Sequence, residues 1–341
     1  MPEATEPQAP RERGWRGILL ALAAFLIVPA LPLLPTLLPV ERTLVLLVPA
    51  VAACALAAWI GGGRLSVAVV WTALAALVLA TRQAPGSPGF DALARGWALL
   101  LAAAFGFVCL LGRKPRFLAR ALAAFGIALA LGVATIAITR TSPARVINVV
   151  GTELSSRGAE DLARWERTWS EPQGRQRRAE DPRADSLVTV IGERIATLPA
   201  ASTTVFPALL GIESLIALAL AWAIFHRISR VRLGAPLAPL RDFRFNDQLV
   251  WGLVAGLTMV LLPSLAALRG LGANLLVFFG ALYVLRGAGV VAFFMAPGWA
   301  TGLALAVCAL LFGPFLAVGA LGLGLGDTWL DWRTRRARPT T

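Results

Sequence analysis

VFPALLGIESLIALALAWAIF, residues 205–225, carries one charge, Glu213, in twenty-one residues. A helix of about 20 apolar residues crosses the ~30 Å hydrocarbon layer of a bilayer. Lipid offers no hydrogen bonds, so the backbone of such a run must satisfy itself as a helix. Runs of the same character occupy 17–34, 43–60, 65–80, 93–111, 117–138, 249–268, 273–294 and 299–323. None alternates apolar and polar residues with a period of two, which removes a β-barrel. The expected fold is all-α: a polytopic transmembrane helical bundle of eight or nine spans, with an extracytoplasmic amphipathic helical insertion.

Composition agrees. Of 341 residues, 57% are hydrophobic and only 15% charged, against about a quarter charged in a soluble domain. Mean hydropathy is +0.72. The net charge of +13 is carried almost wholly by arginine, Lys114 being the single lysine. Arginine beside apolar spans sets topology and meets lipid headgroups. No basic module interleaved with aromatics occurs, so nucleic acid is not an expected partner. Cys54, Cys109 and Cys308 lie inside apolar runs without CxxC spacing and read as small packing residues. No disulfide framework, metal site or cofactor is expected from them.

Charge also orders the chain. Arg11, Arg13 and Arg16 hold a tail, residues 1–16, in the cytoplasm by the positive-inside rule. A cleavable signal peptide is the competing reading of this start. The apolar run continues through Pro29, Pro32 and Pro35 with no clear small-residue cleavage site, which favours a retained span. Residues 17–138 form a first group of five spans, with Arg113, Lys114 and Arg116 inside after four crossings. Residues 139–203 are then extracytoplasmic. A second group of three to four spans, 204–325, keeps Arg227, Arg230, Arg232, Arg241 and Arg244 inside, and a basic tail, 326–341, follows. Three full crossings after Gln248 would put Arg333, Arg335, Arg336 and Arg338 outside. A helix broken at Phe312-Gly313-Pro314 would instead re-enter on the side it left.

The 139–203 stretch has its own periodicity. Ile147, Val150, Leu154, Leu162, Trp165 and Trp169 recur on one helical face, with Glu153, Arg157, Glu160 and Arg164 to one side and Asp161 intruding. A second stripe, Leu187, Ile191, Ile195 and Leu198, follows a link at 173–185 whose composition reads as disordered. Such faces suit a helix lying in the membrane surface or one covering the outer ends of the spans.

Ordinary catalytic side chains are scarce, with one histidine and one tyrosine in the chain. His226, beside Arg227 at the inner end of the 205–225 run, reads as structural, and zinc would need further ligands. Gly322, Gly324 and Gly326 follow no strand, so they do not make a phosphate loop. An enzyme is not expected. Charges inside spans are more informative, because intramembrane ionisable groups face the protein interior and mark a pathway or a partner. Glu213 lies about 12 Å into its segment and Arg286 roughly 20 Å from the outer end of its own. Their side chains either meet, or Arg286 snorkels to the cytoplasmic surface while Glu213 is protonated or pairs with Asn274. The candidate substrate-binding residues are Glu213, Ser214, Asn274 and Arg286. Small-residue stripes at Ala124, Ala128 and Gly132, and at Gly252 and Gly256, allow close helix packing.

The second half resembles an uncharacterised bacterial membrane protein family, DUF2232 or YybS-like. The residues that carry the likeness are Glu213-Ser214, then Pro236-Leu237, Pro239-Leu240 and Phe243 in a basic loop. Asn274-Leu275-Leu276 and Tyr283-Val284-Leu285-Arg286-Gly287 follow in a span. The run from Gly326 to Arg333 is similar to a family ending Gly-x-x-Asp-x-x-x-Asp-x-Arg, with Gly324 as its glycine. Arg286 departs from the family pattern, in which glutamine is expected before the glycine at 287. The likeness covers about 212–333 and implies a multi-pass protein of the bacterial cytoplasmic (inner) membrane, N-terminus inside.

Two functions follow as expectations. In outline the family resembles the substrate-binding components of energy-coupling transporters, which implies small-molecule binding near Glu213 and a separate energising module, since no ATP-binding motif is present. Breaks at Pro263, Gly287 and Gly313-Pro314 fit discontinuous helices around a site. The alternative is a non-transporting cell-envelope scaffold that docks a membrane protein partner. Its candidate contacts are Trp165, Trp169, Pro236, Phe243, Asp327, Asp331 and Arg333. On either reading the lipid bilayer is a partner.

Overall fold

The computed structural model describes residues 14–28, 34, 36–40, 42–81, 87–111, 116–295 and 313–337. These residues are 86% helical and contain no strand. The apolar runs become α1 (Arg16–Ile27), α2 (Leu44–Ile60), α3 (Leu65–Thr81), α4 (Pro88–Leu110) and α5 (Phe117–Ile138). The helix α4 begins five residues earlier than hydropathy alone suggests. Ser87 caps it, its hydroxyl accepting from the Phe90 amide at 3.3 Å, and Pro88 stands at the first helical position, where no amide proton is needed.

The 205–225 run is the inner half of α8 (Pro182–Ile228), a helix of 47 residues that Pro199 and Pro207 do not interrupt. At 1.5 Å per residue it is about 70 Å long, more than twice the hydrocarbon thickness. Its outer half pairs with α6 (Pro143–Ser170) through the short α7 (Pro172–Glu180) to make an antiparallel hairpin. Gly158 lets the Pro199 ring approach, Gly151 meets Thr203, and Trp165 Nε1 donates to the Val188 carbonyl at 3.3 Å. The link at 173–185 is therefore helical, not disordered. Prolines at the first positions of α7 and α8, an Asp181 cap on the Arg183 amide at 2.9 Å and an Arg178–Asp185 bridge at 2.6 Å fix it locally. Its Arg, Gln and Glu are also good helix formers.

The 249–268 run divides. The helix α9 (Val250–Leu261) ends before Pro263, which opens a tighter 3-10 turn, Pro263–Leu268. Then come α10 (Arg269–Met295), α11 (Gly313–Leu330) and α12 (Trp332–Ala337). The first half of the 299–323 segment, with Cys308 and Phe312 of the expected break, lies outside the described residues, as do Arg11, Arg13, Arg113, Lys114 and Arg338. Among the described residues, α4, α5, α8 and Pro263–Met295 are long and apolar enough to cross a membrane, and five other apolar helices are shorter.

Packing follows from sequence pattern. The helix α2 is apolar all round, as a fully enclosed helix must be, and Val45 to Ala55 are buried without a gap against α3, α4 and α8. Phe105 of α4 and Phe117 of α5 meet Trp222 of α8 at 6.0 and 5.9 Å between ring centroids. Ala124 and Ala128 are wholly buried. Gly256 and Gly272 each lie against the other's carbonyl, so the GxxxG stripe joins α9 to α10 within the chain. Gly287 and Gly324 bring α10 and α11 together so closely that a Cβ at either would strike the facing backbone.

Candidate functional site

The polar side chains inside the helices gather at two places. The first is where the hairpin meets the bundle. On α6, Glu153, Arg157 and Asp161 stand four residues apart and are all buried. Arg157 Nε bonds Glu153 Oε1 at 3.1 Å, its Nη1 donates to the Leu38 carbonyl at 3.0 Å, and its guanidinium lies over the Phe90 ring at 4.9 Å. Glu153 also accepts from the Ser87 amide at 2.9 Å, and Asp161 accepts from the Thr36 hydroxyl at 2.7 Å while pairing with Arg164. Two steps further along the same strand of chain, the Val40 amide donates to Glu213 Oε2 at 2.9 Å. Glu213 is 3% exposed, and its Oε1 has no hydrogen-bond partner among the described residues.

The neighbouring candidates are held separately. Ser214 accepts from Trp97 Nε1 at 2.9 Å. Asn274 accepts from the Ala208 amide at 2.9 Å and donates to the Thr204 and Gly270 carbonyls at 2.8 Å. It bridges the Ala208 amide and the Thr204 carbonyl, an i,i+4 backbone pair beside Pro207, where the proline ring crowds the preceding turn. Asn274 therefore pairs with the α8 backbone, not with Glu213.

The second cluster holds the family-like ending. Asp327, 1% exposed, receives Arg333 through two bonds, 3.1 and 2.6 Å, and Arg286 Nε at 3.0 Å. Arg286 Nη1 continues to Asp247 at 2.6 Å and its guanidinium lies over Phe245 at 5.3 Å. Arg333 Nη1 donates to the carbonyls of Arg241 and Phe243 at 3.0 and 3.1 Å, and Arg244 bridges Asp331 at 3.0 Å. The formal charges balance across this group. Fork-shaped guanidinium pairs of this kind are the strong form of ion pair. Asp331 itself takes φ +42 between α11 and α12, a left-handed turn that aspartate tolerates better than most residues.

Arg286 therefore does not meet Glu213. Asn274 and Arg286 lie on one helix about 18 Å apart along its axis, so the four expected binding residues do not form one site. Of the expected partner contacts, Phe243 and Arg333 hold the basic loop onto α10, α11 and α12, and Pro236 is half-buried. Trp165 and Trp169 meet at 5.7 Å between ring centroids, tilted 57° to one another, within the hairpin. His226 is enclosed, its ring nitrogens 2.9 and 3.1 Å from the Trp222 and Gly234 carbonyls. Open clefts of about 360 Å³ at Ser87–Thr152 and about 240 Å³ beside Trp71 lie away from Glu213 and Arg286.

Sequence reasoning missed Thr36, Val40, Ser87 and Asp247 as partners. One signal was present: Asp161 intruding on an apolar face, in step with Glu153 and Arg157, marks a buried charged row.

One family model spans part of both clusters. Residues 184–328 match a family model described as a predicted membrane protein, DUF2232. No curated protein and no solved structure matches the chain. Together with the apolar helices, the DUF2232 match makes this a membrane protein. The DUF2232 region begins just inside α8 and ends just after Asp327. It includes Glu213, Asn274, Arg286 and Asp327, and excludes α6, residues 36–40, Asp331 and Arg333.

Proposed function

We propose that the protein is a non-catalytic, multi-pass scaffold of the bacterial cytoplasmic membrane, whose hairpin of α6, α7 and outer α8 docks a partner protein outside the cell membrane. The observation that carries this reading is the division of the intramembrane polar groups. They are engaged by the chain's own backbone and side chains at separate places instead of converging on one cavity. The hairpin, by contrast, leaves Leu187, Val190 and Ile191 60%, 52% and 36% exposed, beside the buried Val188 and Ile195. An apolar row of this kind on a water-facing helix is a contact surface.

The experiment is site-specific photocrosslinking at Val190 in native membranes. Defined adducts are expected, and replacing Leu187, Val190 and Ile191 together by serine should remove adducts formed from a neighbouring crosslinker at Glu193. Exposed substitutions of this kind should shift stability by no more than about 0.5 kcal/mol each. Loss of function in Glu213→Gln with a functional triple-serine variant would reverse the reading.

The topology belongs to the same proposal. Eight full crossings, α1 to α5 and α8 to α10, put the N-terminus inside and the hairpin outside. The final segment re-enters on the side it left, because Arg333, Asp331 and Thr334 bond the 241–244 loop directly. A reporter active only in the cytoplasm, fused after Ala337, is expected to be active; periplasmic activity instead would place Arg333 outside.

One observation favours the small-molecule reading as the second choice: the unpartnered Oε1 of Glu213. A thermal-shift screen against vitamins, nucleosides and metal ions tests it, with Glu213→Gln expected to abolish any true hit.

A further inference from the structure

We propose that residues 36–40 are a strap that couples the position of the extramembrane hairpin to Glu213 inside the bundle. The strap lies between α1 and α2, yet it bonds residues of α6 and α8. Thr36 is held by Asp161 and Leu38 by Arg157, both on the hairpin, while Val40 is held by Glu213 on the span of α8. The grips alternate along five residues, and Thr36 and Val40 are buried at 1% and 5% exposure. Water therefore cannot replace a released partner at little cost.

The consequence is mechanical. Moving α6 away from the bundle pulls Thr36 and Leu38 with it, and the one residue between Leu38 and Val40 is Pro39, whose fixed φ leaves little slack to absorb the displacement. Val40 then leaves Glu213, whose other oxygen is already unpartnered. A buried carboxyl with neither oxygen engaged is unstable, so the hairpin and the environment of Glu213 change together. Arg157 ties Glu153, and through it the Ser87 cap of α4, to the same movement. The coupling is a property of the chain alone and holds whichever partner the hairpin meets.

Coupling of this kind is reciprocal, which gives a two-way test by hydrogen exchange on the full chain in lipid nanodiscs. Asp161→Ala removes the outermost grip, taking the acceptor from the Thr36 hydroxyl and the ion-pair partner from the exposed Arg164. Exchange at the Val40 amide is expected to rise about tenfold, the factor that loss of one hydrogen bond of ordinary net strength gives. Thr36→Val removes the same grip while keeping side-chain shape, and is expected to do likewise if Asp161→Ala disturbs the hairpin. In the other direction, Glu213→Ala should raise exchange in α6 across 153–161, and Glu213→Gln, which keeps an acceptor for Val40, should not. Unchanged exchange at Val40 in Thr36→Val, or unchanged exchange across 153–161 in Glu213→Ala, overturns the proposal.

Discussion

Replacing Asp327 by alanine is expected to destabilise the protein more than any other single polar substitution, by about 3–5 kcal/mol. Asp327 is a carboxylate shared by two enclosed arginines, Arg286 and Arg333. Its removal leaves both cations without their principal counter-charge, and Asp247, 59% exposed, cannot neutralise the pair alone. The loss is expected as a markedly lower thermal midpoint in detergent and a collapse of folded yield. Asp327→Asn, which keeps an acceptor oxygen, should fall between. Removing Arg286, Asp327 and Arg333 together for well-packed apolar residues should cost less than Asp327→Ala alone, because the penalty comes from stranding charge and not from losing attraction. A triple variant no better than the single one would contradict this account of the cluster.

Arg157→Ala is expected to have the second largest effect, about 3 kcal/mol. It strands the buried Glu153 carboxylate, releases the Leu38 carbonyl and uncovers the Phe90 ring at once. Glu153→Gln in the same background should recover part of the loss, since a neutral amide still accepts from the Ser87 amide. Surface ion pairs of the hairpin give a useful contrast. Arg178 and Asp185 are 39% and 50% exposed, and breaking their bridge should cost no more than about 1 kcal/mol.

Much of the fold is legible in the sequence because lipid imposes a single rule on every span. Hydropathy places α2, α3 and α5 within a residue or two, and Glu213 stands out as a charge where charge is costly. Three features were not legible, each for a physical reason. The union of the hairpin's second arm with the membrane-length part of α8 was hidden by Pro199 and Pro207, which normally end a helix; here the helix continues, and Asn274 holds the Ala208 amide and the Thr204 carbonyl beside Pro207. The helical link at 173–185 was hidden by a composition that matches disorder, although its caps and prolines are local and readable in retrospect. The partners of Arg286 were hidden because Asp327 and Asp247 are distant in sequence and meet only when Gly287 and Gly324 let α10 and α11 close.

Glu213, Ser214 and Arg286 are buried and Asn274 half-buried, but burial alone does not say what satisfies a polar side chain. Ser214, Asn274 and Arg286 are each completed by a partner that the sequence pattern did not pair with them: Trp97, the α8 backbone and Asp327. Only Glu213 keeps an oxygen unengaged, and that oxygen separates a scaffold from a binding protein.

The most direct measurement is therefore a high-resolution density map of the full chain purified in lipid nanodiscs from native membranes. The account predicts Glu213 bonded to the Val40 amide with protein packed around it, Asn274 on the α8 backbone, and Arg286 on Asp327. Ordered non-protein density bridging Glu213, Ser214 and Asn274 would contradict it.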